Sequence, residues 1–128
     1  VDTILVLDDD RTFTNLLKTV FEMEGYRAVT LSQPDDVIPA ARQINPALVL
    51  MDVHAGEGDT LGVVRALRAD VEAKTVPVLM TSGMDHRAEC LEAGANAFIL
   101  KPFRPTELLA VVKQVIGSRD EDVGEKVG

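Results

Sequence analysis

The chain is 128 residues long, 46% hydrophobic and 27% charged, with a formal net charge of -8. That length fits one domain burying about 68% of its unfolded surface, and the composition is that of a globular rather than a disordered chain. The acidic balance argues against direct nucleic-acid binding by this domain, because phosphate recognition needs clustered Lys and Arg, and neither a membrane-length apolar stretch nor a signal peptide is visible. In chain order, Ile4-Leu5-Val6-Leu7 is an apolar run that reads as a buried strand and ends on Asp8-Asp9-Asp10. Phe13, Leu16, Leu17, Val20 and Phe21 then recur at helical spacing, and Gly25 supplies a stop. Residues 27–31 form a short second strand near a sheet edge. Ser32-Gln33-Pro34-Asp35 resembles a helix start, with Val37, Ile38, Ala41 and Ile44 as its buried face. Pro39 costs about 3 kcal/mol in a helix interior, so this helix is expected to kink or to begin later.

Asn45-Pro46 turns the chain into Leu48-Val49-Leu50-Met51, an unbroken apolar run that ends on Asp52. The absence of alternation points to a strand covered on both faces. Residues 55–60 are glycine-rich and polar, hence a mobile loop at the edge of the site. Leu61, Val64, Leu67 and Val71 outline a third helix. Pro77 precedes the strand Val78-Leu79-Met80, which runs into Thr81-Ser82, and Asp85 can cap a short fourth helix ending before Gly94. The lone Cys90 has no disulfide partner, which favours a cytoplasmic setting. Ala97-Phe98-Ile99-Leu100 delivers Lys101, and a last helix from Pro105 buries Leu108, Val112, Val115 and Ile116. The domain is expected over residues 1–117, with 118–128 an acidic tail or the start of a linker.

Strands and helices in strict alternation predict an α/β fold: a flavodoxin-like doubly wound five-stranded parallel sheet, order 2-1-3-4-5, with five helices. Such sheets place their ligand crevice at the carboxyl ends of the strands. Asp8 and Asp9, Asp52, Ser82 and Lys101 all stand at those ends. Carboxylates so gathered repel one another unless a cation is present, and oxygen-only ligation suits Mg²⁺. Lys101 can pair with phosphate oxygens, Ser82 can offer a hydroxyl, and Asp52 at the centre is the natural nucleophile for phosphoryl transfer. Taken alone, an Asp at a strand end is more often a cap, Lys101 a solvated charge and His54 a loop residue. The conjunction of four polar strand endings on one rim carries the functional reading.

The set Asp8-Asp9, Asp52, Ser82 and Lys101-Pro102-Phe103 resembles the receiver domain of bacterial two-component response regulators, over roughly residues 3 to 117. The resemblance implies that Asp52 accepts a phosphoryl group from a sensor histidine kinase or phosphotransfer protein. It implies Mg²⁺ held by Asp9, Asp52 and the backbone carbonyl of His54, with Asp8 acting through water. It further implies switch roles for Ser82 and Phe98 and a cis Lys101–Pro102 bond. Met84, two residues past Ser82, offers no strong group to orient an attacking water, which predicts at most slow autophosphatase activity. An output domain or partner protein would bind the face made by helix 4, strand 5 and helix 5, and homodimers of receivers often use that same face. Three features depart from the family pattern. Ala55-Gly56 and Asp59-Thr60 replace the usual Met-Pro and Asp-Gly, predicting a looser loop. Phe98 stands where Tyr is common. Arg104 stands before Pro105 where a Ser or Thr cap is common, a loss of about 1 kcal/mol.

Two other readings compete. Asp8-Asp9-Asp10-Arg11-Thr12 also matches the nucleophile motif of haloacid-dehalogenase-like phosphatases, with Asp8 as nucleophile and Asp10 as general acid. That reading leaves Asp52 without a role and lacks a later acidic pair. A receiver-like interaction module that works without phosphorylation is the third reading.

Overall fold

The computed structural model describes the backbone of residues 1–127 and the side chains as far as Ser118. Five strands, β1 (Thr3–Leu7), β2 (Arg27–Leu31), β3 (Leu48–Asp52), β4 (Val78–Ser82) and β5 (Ala97–Leu100), form one parallel sheet in the order β2-β1-β3-β4-β5. The helices are α1 (Arg11–Met23), α2 (Val37–Ile44), α3 (Thr60–Ala69), α4 (Arg87–Ala93) and α5 (Pro105–Val127). This is the doubly wound arrangement that the strand rhythm predicts.

Strand alternation divides the core in two. Ile4, Val6, Leu48, Leu50, Leu79 and Ile99 point to the face packed by Leu17 and Phe21 of α1 and Leu108, Val112 and Val115 of α5. Leu5, Leu7, Val49, Met51, Val78, Met80 and Phe98 point to the opposite face, covered by α2, α3 and α4 through Val37, Ala41, Val64, Leu67, Cys90 and Ala93. Each fully buried aliphatic side chain contributes about 1.5–3 kcal/mol. The division also decides on which side of the sheet each strand-end polar group emerges.

Several local expectations need correction. The α2 helix does begin late: a 3-10 turn at Pro34–Asp36 precedes it, so Pro39 falls in its first turn, where no intrahelical N–H is required. The α3 helix stops at Ala69, leaving Val71 86% exposed rather than buried. Asp70 enforces that stop by accepting the N–H groups of Glu72 and Ala73. Leu16 lies outside the buried stripe of α1 and is largely exposed. The N-cap position of α4 is His86, whereas Asp85 accepts the N–H of Arg87. The α5 backbone is helical to Val127, and the side chains of residues 119–128 lie outside the described set. Cys90 is fully buried, and burial first, then the charge of Glu89, pushes its thiol up to about 11, so it is a packing group.

Candidate functional site

Because Asp8 follows Val6 and Leu7, it continues the row that faces α1 and α5, and Asp52 does the same after Leu50. The chain turns at the cis Lys101–Pro102 bond, as the resemblance implies, and Lys101 joins the same side. Its ammonium donates to Asp8 Oδ2 at 2.7 Å and to Asp52 Oδ2 at 2.6 Å. Burial works against the charge on Lys101, but the hydrogen bonds and negative charges of Asp52 and Asp8 together outweigh it and hold the ammonium above its ordinary range. The Phe13 ring lies 4.6 Å from Nζ and is itself braced edge-on by Phe103 at 5.6 Å. One cation thus joins two nearly covered carboxylates carried by different strands. The second oxygen of Asp52 accepts the backbone N–H of His54 at 2.7 Å, which orients the carboxylate from the loop side.

Asp9 emerges on the other face, following Leu5 and Leu7, and its Oδ1 accepts the N–H of Gly56 at 2.7 Å. This contact changes the picture of residues 55–60. Ala55 is buried, the Glu57 N–H donates to Gln33 Oε1 at 3.0 Å, the Thr60 hydroxyl donates to Val53 O at 2.5 Å, and Asp59 caps α3 through the Gly62 N–H. The loop is tied to β1, to the β2–α2 connection and to its own strand, so the expectation of a loose loop does not hold.

Ser82 also follows alternation away from Asp52. It is fully buried on the face shared with Phe98, and its Oγ accepts the Met84 N–H at 3.1 Å. Phe98 is buried, with the Arg87 guanidinium 5.7 Å above its ring and an Arg87 N–H donating to its carbonyl at 3.2 Å. The His54 imidazole is exposed, and its ring centre is 5.4 Å from that of His86. Asp10 is occupied as the cap of α1, accepting the Phe13 N–H, and its own N–H donates to Asp8 Oδ1. The structure therefore brings Asp8, Asp52 and Lys101 together, sets Asp9 beside them on the loop, and keeps Ser82 and Phe98 behind β4.

Among the described residues, no three His, Cys, Asp or Glu side chains form a ready ligand cluster. The donors at the rim are nonetheless all oxygen: three carboxylates and the main chain around His54. That chemistry fits a hard divalent cation and does not fit a thiolate- or imidazole-loving one.

The family model for the response regulator receiver domain matches residues 4–113. The chain belongs to that family. Among curated relatives, the DNA-binding response regulator MtrA of Mycolicibacterium paratuberculosis is 33% identical over 125 residues, which are 95% of this chain and 54% of the relative. The receiver thus spans about half the length of the curated relatives it matches. A structure described as a response regulator from Chloroflexus aurantiacus superposes with a TM-score of 0.84 at 29% identity, covering 91% of this chain and 98% of that one. The receiver domain of a sensor histidine kinase from Pseudomonas aeruginosa, solved with a magnesium ion in its active-site cleft, shares the fold with a TM-score of 0.81 at 24% identity, covering 91% of this chain and 98% of that one. Membership removes the phosphatase reading, and the cap role of Asp10 agrees with that, since it leaves the proposed general acid engaged elsewhere.

Proposed function

We propose that this receiver is a phosphoacceptor switch: Asp52 takes a phosphoryl group from the phosphohistidine of a sensor histidine kinase or phosphotransfer protein. The observation that carries the reading is the Lys101 ammonium held between Asp8 and Asp52 at the carboxyl edge of the sheet. An Asp52 oxygen attacks phosphorus as the P–N bond to the donor imidazole breaks, and the product is an acyl phosphate. The His54 N–H keeps the carboxylate turned outward, and Lys101 can move one N–H from Asp52 to a phosphoryl oxygen without leaving Asp8. Mg²⁺ would be held by Asp9, Asp52 and the His54 carbonyl, with Asp8 through water. When bound it supplies positive charge against the transferring phosphoryl oxygens.

Ser82 is the hydroxyl that would turn from the Met84 N–H toward the phosphoryl group, and buried Phe98 is the aromatic that would follow it. Signal then passes to an output domain or partner protein at the α4–β5–α5 face, where a second copy could also pair. With a net charge of -8, this domain is assigned no nucleic-acid contact of its own. Among the described residues no helix is long and apolar enough to cross a membrane.

The test is incubation with acetyl phosphate and Mg²⁺ followed by intact-mass measurement. A gain of one phosphoryl group that is lost in Asp52→Asn supports the assignment. Labelling of the Asn variant at full stoichiometry, or no labelling of the wild type, would reject it; the latter outcome would favour a module that works without phosphorylation.

A further inference from the structure

Two hydroxyls end β4, and only Ser82 has been given a role. Thr81 is 1% exposed, and its Oγ1 is buried with no hydrogen-bond partner among the described residues. A buried hydroxyl left unpaired is unfavourable and uncommon, so such a group invites a reason for its presence. Its place in the sheet suggests one. Thr81 is the register partner of Asp52 across the β3–β4 pair. Alternation sends it to the α1–α5 face, following Leu79, as Asp52 follows Leu50. Neighbouring strands run about 4.8 Å apart, so a hydroxyl and a carboxylate paired on one face are within reach through side-chain rotation. Ser82, one residue later, leaves the sheet on the opposite face and is already engaged with the Met84 N–H. A Val at position 81 would fill the same space and suit the apolar strand better, with no hydroxyl to bury.

We infer that the Thr81 hydroxyl is a positioning group for the acceptor, one that holds Asp52 while Lys101 turns to the incoming phosphoryl group. In the described arrangement Lys101 spends one N–H on Asp52 and one on Asp8. Transfer to the phosphoryl oxygen takes the first of these away from Asp52. The cross-strand hydroxyl then replaces it as donor to the Asp52 oxygen that does not attack. No bond to Thr81 forms or breaks; the hydroxyl rotates and keeps its proton. The inference rests on the reading of Asp52 as acceptor.

The experiment compares wild type, Thr81→Val, Thr81→Ser and Asp52→Asn, in acetyl phosphate labelling with Mg²⁺ and in thermal melts. Thr81→Val is expected to label about tenfold more slowly, one charge-assisted hydrogen bond's worth of transition-state stabilisation, while its melting temperature does not fall. Thr81→Ser, which restores the hydroxyl without the methyl group, is expected to label within about twofold of wild type even though its core packing is worse. Equal labelling of Thr81→Val and wild type would overturn the Thr81 role and leave Asp52 standing. A slow Thr81→Val accompanied by an equally slow Thr81→Ser would also overturn it, since packing would then be the cause. Failure of the wild type to label at all would overturn both readings together.

Discussion

Met84 is 65% exposed, while its backbone N–H is fixed on Ser82 Oγ, so the thioether stands outside the acceptor rather than in the core. Hydrolysis of an acyl phosphate on Asp52 needs a water brought in line, and a thioether offers neither a donor nor a strong acceptor to orient it. His54, two residues past the acceptor, is exposed on the other flank with its ring against His86. We expect a long-lived phosphorylated state and a Met84→Glu variant that decays about tenfold or more faster, since a placed carboxylate can activate water. Decay of Asp52 phosphate in the two proteins, followed by intact mass, checks this; wild-type decay as fast as the variant's would remove the shielding argument. At this scale the strand-end placement of Asp8, Asp52 and Lys101 could be read because each ends an apolar run, and period-two alternation then fixes their side of the sheet. The same alternation puts Asp9 and Ser82 on the other side, which the run alone does not say. Their partners, the Gly56 and Met84 N–H groups, come from loops whose paths the sequence pattern leaves open. Thr81 stands in the β4 run as a polar residue, but its pairing with Asp52 is fixed by the strand register.

Among the elements, the β3–α3 loop departs furthest from expectation. Two glycines and three polar residues between Ala55 and Thr60 suggest mobility, yet Gly56 sits at φ +64°, and a Cβ there would come within 2.7 Å of Pro34 Cδ and 2.8 Å of Gln33 Oε1. The glycine is thus required by close packing against the β2–α2 connection. Gly56→Ala is expected to cost about 1–3 kcal/mol and to weaken Mg²⁺ binding by displacing the Asp9 contact; denaturant unfolding and calorimetry with Mg²⁺ measure the two effects. A variant as stable as wild type, with unchanged affinity, would show the loop to be free. Arg68 is a second device hidden from pattern reading, where it looks like an ordinary charge near the end of α3. Its guanidinium donates to the carbonyls of Gly94, Lys74 and Val76 and to the Asn96 side chain, clasping the end of α4 to the start of β4. Burial lowers its proton affinity, and among the described residues no carboxylate offsets that. Arg68→Met leaves these acceptors bare and is expected to cost about 2–4 kcal/mol, read from the same unfolding curves. A loss below about 1 kcal/mol would reduce the clasp to a surface contact.

For the whole molecule, the layered order was legible because four of the five strands are built on apolar runs set off by turn residues, whereas the ties between helices were not, because they join residues far apart in sequence. Arg42 on α2 and Asp70 after α3 make one such tie: the Arg42 Nε–H donates to Asp70 Oδ1 at 3.0 Å, with a second guanidinium N–H on the same oxygen. Asp70 Oδ2 meanwhile holds the turn that ends α3. The hydrogen bond from Arg42, more than any other influence, lowers the Asp70 carboxyl below its ordinary 3.8. A folded value below the unfolded one means that the stabilisation is fully present above pH 3.8 and is lost as pH falls through the folded value. Lys101 has the opposite sign: raised above 10.5, its contribution is complete below that pH and disappears as pH rises through the folded value. A chain of net charge -8 also gains self-repulsion as its lysines deprotonate, which steepens the alkaline limb. Of these two ties, one weakens on the acid side and the other on the alkaline side. Thermal melts of wild type and Asp70→Asn across pH separate the acid limb from general charge effects. The variant should melt lower by a constant margin through the neutral range, and the two curves should converge as pH falls through the folded value of Asp70, where the wild-type carboxyl also becomes neutral. A margin that persists undiminished into that acid range would mean that Asp70 acts through its turn hydrogen bonds alone, and the Arg42 pair would then contribute nothing to holding α2 against α3.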